Sequence, residues 1–268
     1  MNEVFNTSFF TSIQDVIIVG MLILIRISGL FITGLFFGHA SIPFTVKAAI
    51  TLILTMTMIP MFFETAPTIQ FEILNMFFLL FKEFLVGALL GFASNIVYWA
   101  ARFGGGIIDM DMGYQASLMF DSTSGAPTLI GEFYSMATLM IFLFMNGHHF
   151  LIESLFMSMK IVPLTTFAMT EATLSLLYKT ITAFMMLGLK IAAPVMITLF
   201  NVNLSLTLLA KVAPQMNIFM MSFQVKIAAG ILVLLFSVPM INIVAKQALR
   251  IMETEITTFL MTLNPAFV

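Results

Sequence analysis

The chain contains no cysteine and very little charge. Without cysteine there is no disulfide framework and no thiolate metal site. Of 268 residues, 11 are Lys or Arg and 13 are Asp or Glu, so 9% are charged, where an ordinary soluble domain carries ~25%. That supply cannot clothe the surface of a soluble protein of this size. Basic runs are missing as well, and the formal net charge is -2, which excludes the clustered Lys and Arg of a nucleic-acid footprint. A basic stretch ahead of the first apolar run is also lacking, since Glu3 and Asp15 stand there; a cleavable signal is therefore not expected. What is there is apolar: 60% of the residues are hydrophobic and the mean hydropathy is +1.09. Such a surface has to meet lipid or other protein.

A helix needs ~20 apolar residues to cross a bilayer core. Apolar runs cover Val16 to Gly38, Ala48 to Phe63, Ile73 to Ala101, Thr128 to Met145, Ile181 to Ala210 and Ile227 to Ala245. A shorter one, Phe150 to Val162, is set off by the turn signal Asn146-Gly147-His148-His149 and stopped by Pro163. Pro194 is expected to kink or break the run that contains it. Arg250, Glu253 and Glu255 in the tail have helical spacing. The expectation is five strong apolar helices and at least two short ones, an all-α membrane-associated fold. One stretch breaks the pattern. Residues 102–127 hold Gly104, Gly105, Gly106, Asp109, Asp111, Gly113, Asp121 and Pro127, which reads as a long irregular loop. Inside it, Ser117-Leu118-Met119-Phe120 is apolar, and a long loop with an apolar tip is usually functional or buried in protein.

Arg26, Lys82, Glu83, Glu132, Glu153 and Lys190 lie in or beside apolar segments. Charge facing lipid costs at least ~2.5 kcal/mol, so these side chains are expected to pair between helices or between subunits rather than to form a proton path. Lys82 and Glu83 are neighbours on different helix faces, so each needs its own partner. Adjacent His148 and His149 are poorly placed for chelation and read as turn residues, as does His39. No serine stands in a nucleophile elbow, and Gly104-Gly105-Gly106 is followed by no Lys-Ser/Thr and is not a phosphate loop. Asp109 and Asp111 are two apart in one segment, unlike the separate aspartates of an intramembrane protease. Gly34/Gly38 and Gly87/Gly91 are small-xxx-small pairs that permit close helix packing. The 24 methionines and 30 phenylalanines are mostly packing; Met119 and Phe120 are the ones placed to act as a deformable seal.

Four stretches together resemble the FliR family of flagellar biosynthetic proteins and its injectisome counterpart, the SctT type. They are Arg26-Ile-Ser-Gly29 with Pro43 and Lys47; the segment from Gly104 through Asp109 and Gly113 to Asp121; Phe142-Leu-Phe-Met-Asn146-Gly147-His148-His149 with Ser158 and Val162-Pro163; and Ala213-Pro214-Gln215-Met216-Asn217-Ile218-Phe219, the most specific of them, followed by Lys226. The chain departs from the family at Lys211, where Arg is usual, and at Ser122 and Gln224, where Pro is common.

The resemblance implies a single export-gate domain over residues 1–268. Residues 16–163 would be FliP-like helices carrying the central loop 102–127, and residues 175–268 a FliQ-like helical hairpin. It implies a non-enzymatic subunit without cofactor, which forms with FliP-like and FliQ-like partners a helical pore for unfolded flagellar substrates in the bacterial inner membrane, at the flagellar basal body. FlhB-like and FlhA-like export components would be further partners. Leu118, Met119 and Phe120 would seal the closed pore, with Gly104, Gly105, Gly106 and Gly113 as hinge material. Arg26, Lys82, Glu83, Pro214, Gln215, Asn217 and Phe219 would be candidates for subunit contact. The rival reading is a secondary transporter of a small solute, which calls for matched broken helices in two repeated halves; Pro194 and Pro239 have no first-half counterparts.

Overall fold

The structure is a computed structural model and describes residues 2–38, 42–63, 72–114 and 128–263, without the side chains of residues 2–13, 219, 237–245, 251 and 255. The described residues form seven α-helices and no strand. They are α1 (Asn2–Thr33), α2 (Phe44–Phe62), α3 (Ile73–Asp111), α4 (Leu129–Phe144), α5 (Gly147–Ile161), α6 (Glu171–Val212) and α7 (Ile218–Thr262). Among them, four helices are long and apolar enough to cross a membrane, or up to five if α4 and α5 together make one span.

The breaks between helices follow the local chemistry. Pro43 stands at the entry of α2 with φ -57°, where its missing N–H costs nothing. Asn146 separates α4 from α5 in the left-handed conformation, φ 58°, which Asn tolerates better than most residues. Val162 is extended (ψ 84°) ahead of Pro163 and ends α5, because a residue before proline avoids helical geometry.

Two expectations about the helices are corrected. The irregular stretch does not begin at Arg102: α3 runs on to Asp111, so Gly104, Gly105 and Gly106 are helical residues rather than loop hinges. Pro194 does not break α6, which is one helix of 42 residues. A proline inside a helix costs ~3 kcal/mol, and the burial of Ile191, Ala192, Val195 and Leu199 on either side of it is enough to hold the helix together. The helical spacing in the tail holds: residues 218–226 and the tail as far as Thr262 join the apolar run Ile227 to Ala245 in one helix, α7, with 45 residues.

The chain divides into two compact units. The first is built from Met1–Asn95, Asn146–Lys179 and Met252–Val268, the second from Ile96–Met145 and Thr180–Ile251. In the first, Leu22, Ile23, Ile27 and Leu30 of α1 are fully covered, as are Val86 and Leu90 of α3 and Leu151 and Leu155 of α5. The second packs Ala101, Ile108 and Met112 of α3, Ile130 and Tyr134 of α4, and Ile191, Ala192, Val195 and Leu199 of α6 into one core, with Ile227 and Val233 of α7 against it.

Candidate functional site

In the first unit, Arg26 and Glu83 are both fully buried and joined at 2.5 Å. The guanidinium also donates to the carbonyls of Ser158 at 3.1 Å and Val162 at 2.9 Å; the first also accepts from Val162 N–H, and the second lies past the end of α5, where no helical N–H follows to bond it. The other carboxylate oxygen of Glu83 accepts from the Thr165 N–H at 2.8 Å. Thr165 has φ 74°, an outlier for a β-branched residue, and the bond to Glu83 holds it there. One ion pair therefore ties α1, α3, the end of α5 and the turn after it. Glycines let the two long helices come close enough: a Cβ on Gly29 would lie 2.5 Å from the Phe84 carbonyl oxygen, and one on Gly87 would overlap the Arg26 carbonyl. Beyond this point Leu35 N–H donates to Ser94 Oγ at 3.1 Å and the Asn95 amide donates to the Thr33 carbonyl. Lys82, beside Glu83, is half-buried and belongs to no ion pair among the described residues. The two sequence neighbours thus diverge as their helix positions require.

The second unit holds the base of the segment that carries Leu118, Met119 and Phe120. Those three residues lie outside the described ones, as does His39. The segment leaves α3 through Gly113, whose φ of 78° is the left-handed region that suits glycine, and the chain re-enters α4 after Thr128. Asp109 joins the two stems. Fully buried, its carboxylate accepts from Ile130 N–H at 3.0 Å and Gly131 N–H at 3.4 Å, the open donors of the first turn of α4. A negative group at a helix N-terminus is also favoured by the helix dipole. Gly105 of α3 meets Gly131 of α4 backbone to backbone: a Cβ on Gly105 would lie 2.5 Å from the Gly131 Cα. On the exposed side of the same corner, Arg102 and Glu132 pair at 3.1 Å.

Replacing Asp109 with alanine is therefore expected to cost about 1–3 kcal/mol, the usual penalty for leaving buried donors unsatisfied. Asp109→Asn keeps an acceptor and should lose less. Denaturant unfolding of the purified chain in detergent checks this; equal losses for both variants would show that the bond to α4 is not what Asp109 contributes.

Among the other sequence candidates, Pro214, Gln215 and Asn217 are exposed on the turn between α6 and α7. Asn217 Oδ1 accepts from Met220 N–H at 3.4 Å, an end-capping contact for α7. Phe219 lies in the first turn of α7, its side chain outside the described ones. His148 and His149 stand in the first turn of α5 with ring centroids 4.3 Å apart. No group of three or more His, Asp or Glu able to hold a metal occurs among the described residues. Glu153 and Lys190 are exposed. Sequence reasoning missed Asp109 as the link between α3 and α4. An acid in an apolar helix announces that it needs a partner, but the partner is a pair of backbone N–H groups, which leave no trace in a sequence.

Comparison with known proteins places this geometry in a family. The flagellar biosynthetic protein FliR of Bacillus subtilis (strain 168) is 28% identical over 240 residues, 88% of this chain and 92% of that protein. The surface presentation of antigens protein SpaR of Shigella flexneri is 32% identical over 161 residues, 60% of this chain and 62% of that one. The Yop proteins translocation protein T of Yersinia pestis is 26% identical over 191 residues, 70% and 73% of the two chains. The model of the bacterial export proteins, family 1, matches residues 17–252. That span takes in Arg26 and Glu83, Asp109 and Gly131, and the Pro214–Asn217 turn alike, and the chain belongs to the bacterial export proteins, family 1.

Proposed function

We propose that the chain is a non-catalytic subunit of a type III protein export gate, working in flagellar biogenesis. The family match across residues 17–252 carries this reading, and relatives named for flagellar biosynthesis, antigen presentation at the surface and Yop translocation support it. In this proposal FliP-like and FliQ-like subunits surround the chain and form a pore with it in the bacterial inner membrane, at the flagellar basal body. The sequence up to about residue 163 stands as a FliP-like part and that from about 175 as a FliQ-like hairpin. FlhB-like and FlhA-like components adjoin the pore, and unfolded flagellar proteins pass through it.

One feature favours enclosure by protein over a lone bundle in lipid: at ~1.5 Å per residue, α6 would be ~63 Å long, about twice a hydrocarbon core. Large apolar side chains that remain exposed, among them Phe44, Ile73, Phe144, Val212 and Phe236, supply surface for subunits or lipid to cover. The plug of this pore is the run Leu118-Met119-Phe120. An apolar constriction stops ions by dewetting, and the left-handed Gly113 gives the run a turn to swing from.

Two measurements test the reading. The tagged chain should co-purify with FliP-like and FliQ-like subunits when these are co-expressed; a chain that stays solitary in detergent overturns the proposal. Deleting Ser117 to Asp121 should leave assembly intact and let ions leak through the assembled gate, and an unchanged leak removes the plug.

A further inference from the structure

We propose that the cleft between α1 and α2 is a lipid site, in which an anionic phospholipid lays an acyl chain along the cleft and sets its phosphate on Lys47. The cleft holds about 660 Å³ and is lined by Leu24, Ser28 and Ile32 of α1 and by Lys47, Ala48 and Thr51 of α2. These positions recur every three to four residues, so each helix turns one face to the cleft. Both helices are long and apolar enough to cross a membrane, and both belong to the first compact unit. Such a site requires a bilayer around the chain and requires neither the pore nor its plug.

The room comes from small side chains. The two helices touch where Gly20 faces Ile59: a Cβ on Gly20 would lie 3.1 Å from the Ile59 Cδ1. Toward the turn between the helices, Ser28, Gly38, Ala48 and Thr51 line a space that larger residues would fill. Ser28 Oγ donates to the Leu24 carbonyl and Thr51 Oγ1 to the Lys47 carbonyl, each at 2.8 Å. Both hydroxyls are thus engaged within their own helices, and the walls offer carbon to an occupant. That suits an acyl chain and fails a polar solute, whose donors and acceptors would go unpaired. From Phe44 to Leu52, the ends of its lining, α2 rises ~12 Å. Spread over that length, the space is a slot thinner than a helix with its side chains, ~10 Å across, so a partner's helix does not enter it.

Charge selects the headgroup. From Val16 to Phe63 the chain has no Asp or Glu and two basic residues, Arg26 and Lys47. Arg26 is turned to Glu83, and Lys47 lines the cleft. It stands in the first turn of α2, after Pro43, and from there to Phe62 the helix is uncharged. That is the level at which a spanning helix meets the headgroups. A lysine there lays its stem on the apolar wall and holds its ammonium among the phosphates, and with no acid in either helix wall the cleft complements an anion.

The full chain is placed in nanodiscs, alone and with the subunits that co-purify with it, so the site is tested even if none do. The probes are phosphatidylglycerol and phosphatidylcholine carrying a diazirine on one acyl chain, and labelled peptides are located by mass spectrometry after illumination. Met56 and Met61, exposed further along α2, report ordinary contact with the bilayer and show that each variant is inserted. Labelling by the phosphatidylglycerol probe is expected to concentrate on Leu24 to Ile32 and Phe44 to Leu52 in both preparations. Lys47→Gln should lower it about fivefold, the usual worth of one cation at an anionic headgroup layer, and leave the phosphatidylcholine probe unaffected. Ala48→Leu, which fills the slot, should remove cleft labelling by both probes and spare Met56 and Met61. Labelling no stronger in the cleft than at Met56 and Met61 overturns the site. Labelling of the chain alone that vanishes in the assembly overturns it too, by giving the cleft to a neighbouring subunit. Equal labelling by both probes, untouched by Lys47→Gln, overturns the anionic headgroup.

Discussion

Replacing Arg26 with alanine is expected to cost about 3–5 kcal/mol of stability, the largest loss for a single side chain in the first unit. The figure follows from what stays behind. The Glu83 carboxylate would remain buried without its cation, the Val162 carbonyl would lose its donor, and the Ser158 carbonyl would keep only its bond from Val162 N–H. A buried ion pair is not in itself a large source of stability, because desolvation offsets much of the attraction; removing one partner is the severe case. The double change Arg26→Met with Glu83→Leu should therefore cost less than the two single changes added together. It would not return to the starting value, since Thr165 N–H and the Val162 carbonyl would still lack the partners they have now. Glu83→Gln keeps an acceptor for Thr165 while removing the charge, and separates the two roles. Thermal unfolding of the unchanged protein, Arg26→Ala, the two single changes, their double and Glu83→Gln in the same detergent gives the comparison. Strict additivity would show that the pair acts as two independent side chains, and a loss below about 1 kcal/mol for Arg26→Ala would place it with surface ion pairs.

The sequence announced that such a pair had to exist without naming it. Charges in apolar runs must find partners, and Lys82 and Glu83, as neighbours, had to find different ones; the structure gives Glu83 to Arg26, 57 positions away. Helix identity was legible because each apolar run is long and has a chemical stop, such as Pro43, Asn146 or Val162-Pro163. Helix length was less so. Pro194 reads as a break locally, but burial on both sides of it is a tertiary effect with no local mark. The glycines of α3 misled for the same reason. Three in a row mean a loop if the backbone needs freedom, and a helix if a neighbouring backbone needs room. Only the presence of Gly131 and Gly188 opposite them decides it. The Pro214–Asn217 turn was the most specific stretch in the sequence, and the structure leaves it exposed.

That distinction leads to the second large effect. Gly105→Ala is expected to disrupt the contact between α3 and α4, whereas Gly106→Ala, one residue on, should be harmless or stabilising. At Gly105 the new methyl would stand 2.5 Å from both Cα and N of Gly131 and 2.8 Å from the Ile130 carbonyl carbon. Those are backbone atoms and cannot rotate away, so the helices would have to separate. Overpacking of this kind costs typically ~1–3 kcal/mol and sometimes more. The separation would also stretch the bonds from Ile130 and Gly131 to Asp109, which lie in the same turn of α4. At Gly106 the nearest atom to a new methyl is the Thr128 Cγ2 at 3.5 Å, an ordinary contact. There the gain of ~1 kcal/mol that alanine holds over glycine in a helix should show. If the glycines served instead as a hinge, both substitutions would stiffen the same backbone and both would impair export, with little effect on unfolding. Stability and export measured on the two variants therefore separate packing from hinging. Packing predicts an unstable Gly105→Ala and a normal Gly106→Ala, and two stable variants that both export poorly would restore the hinge.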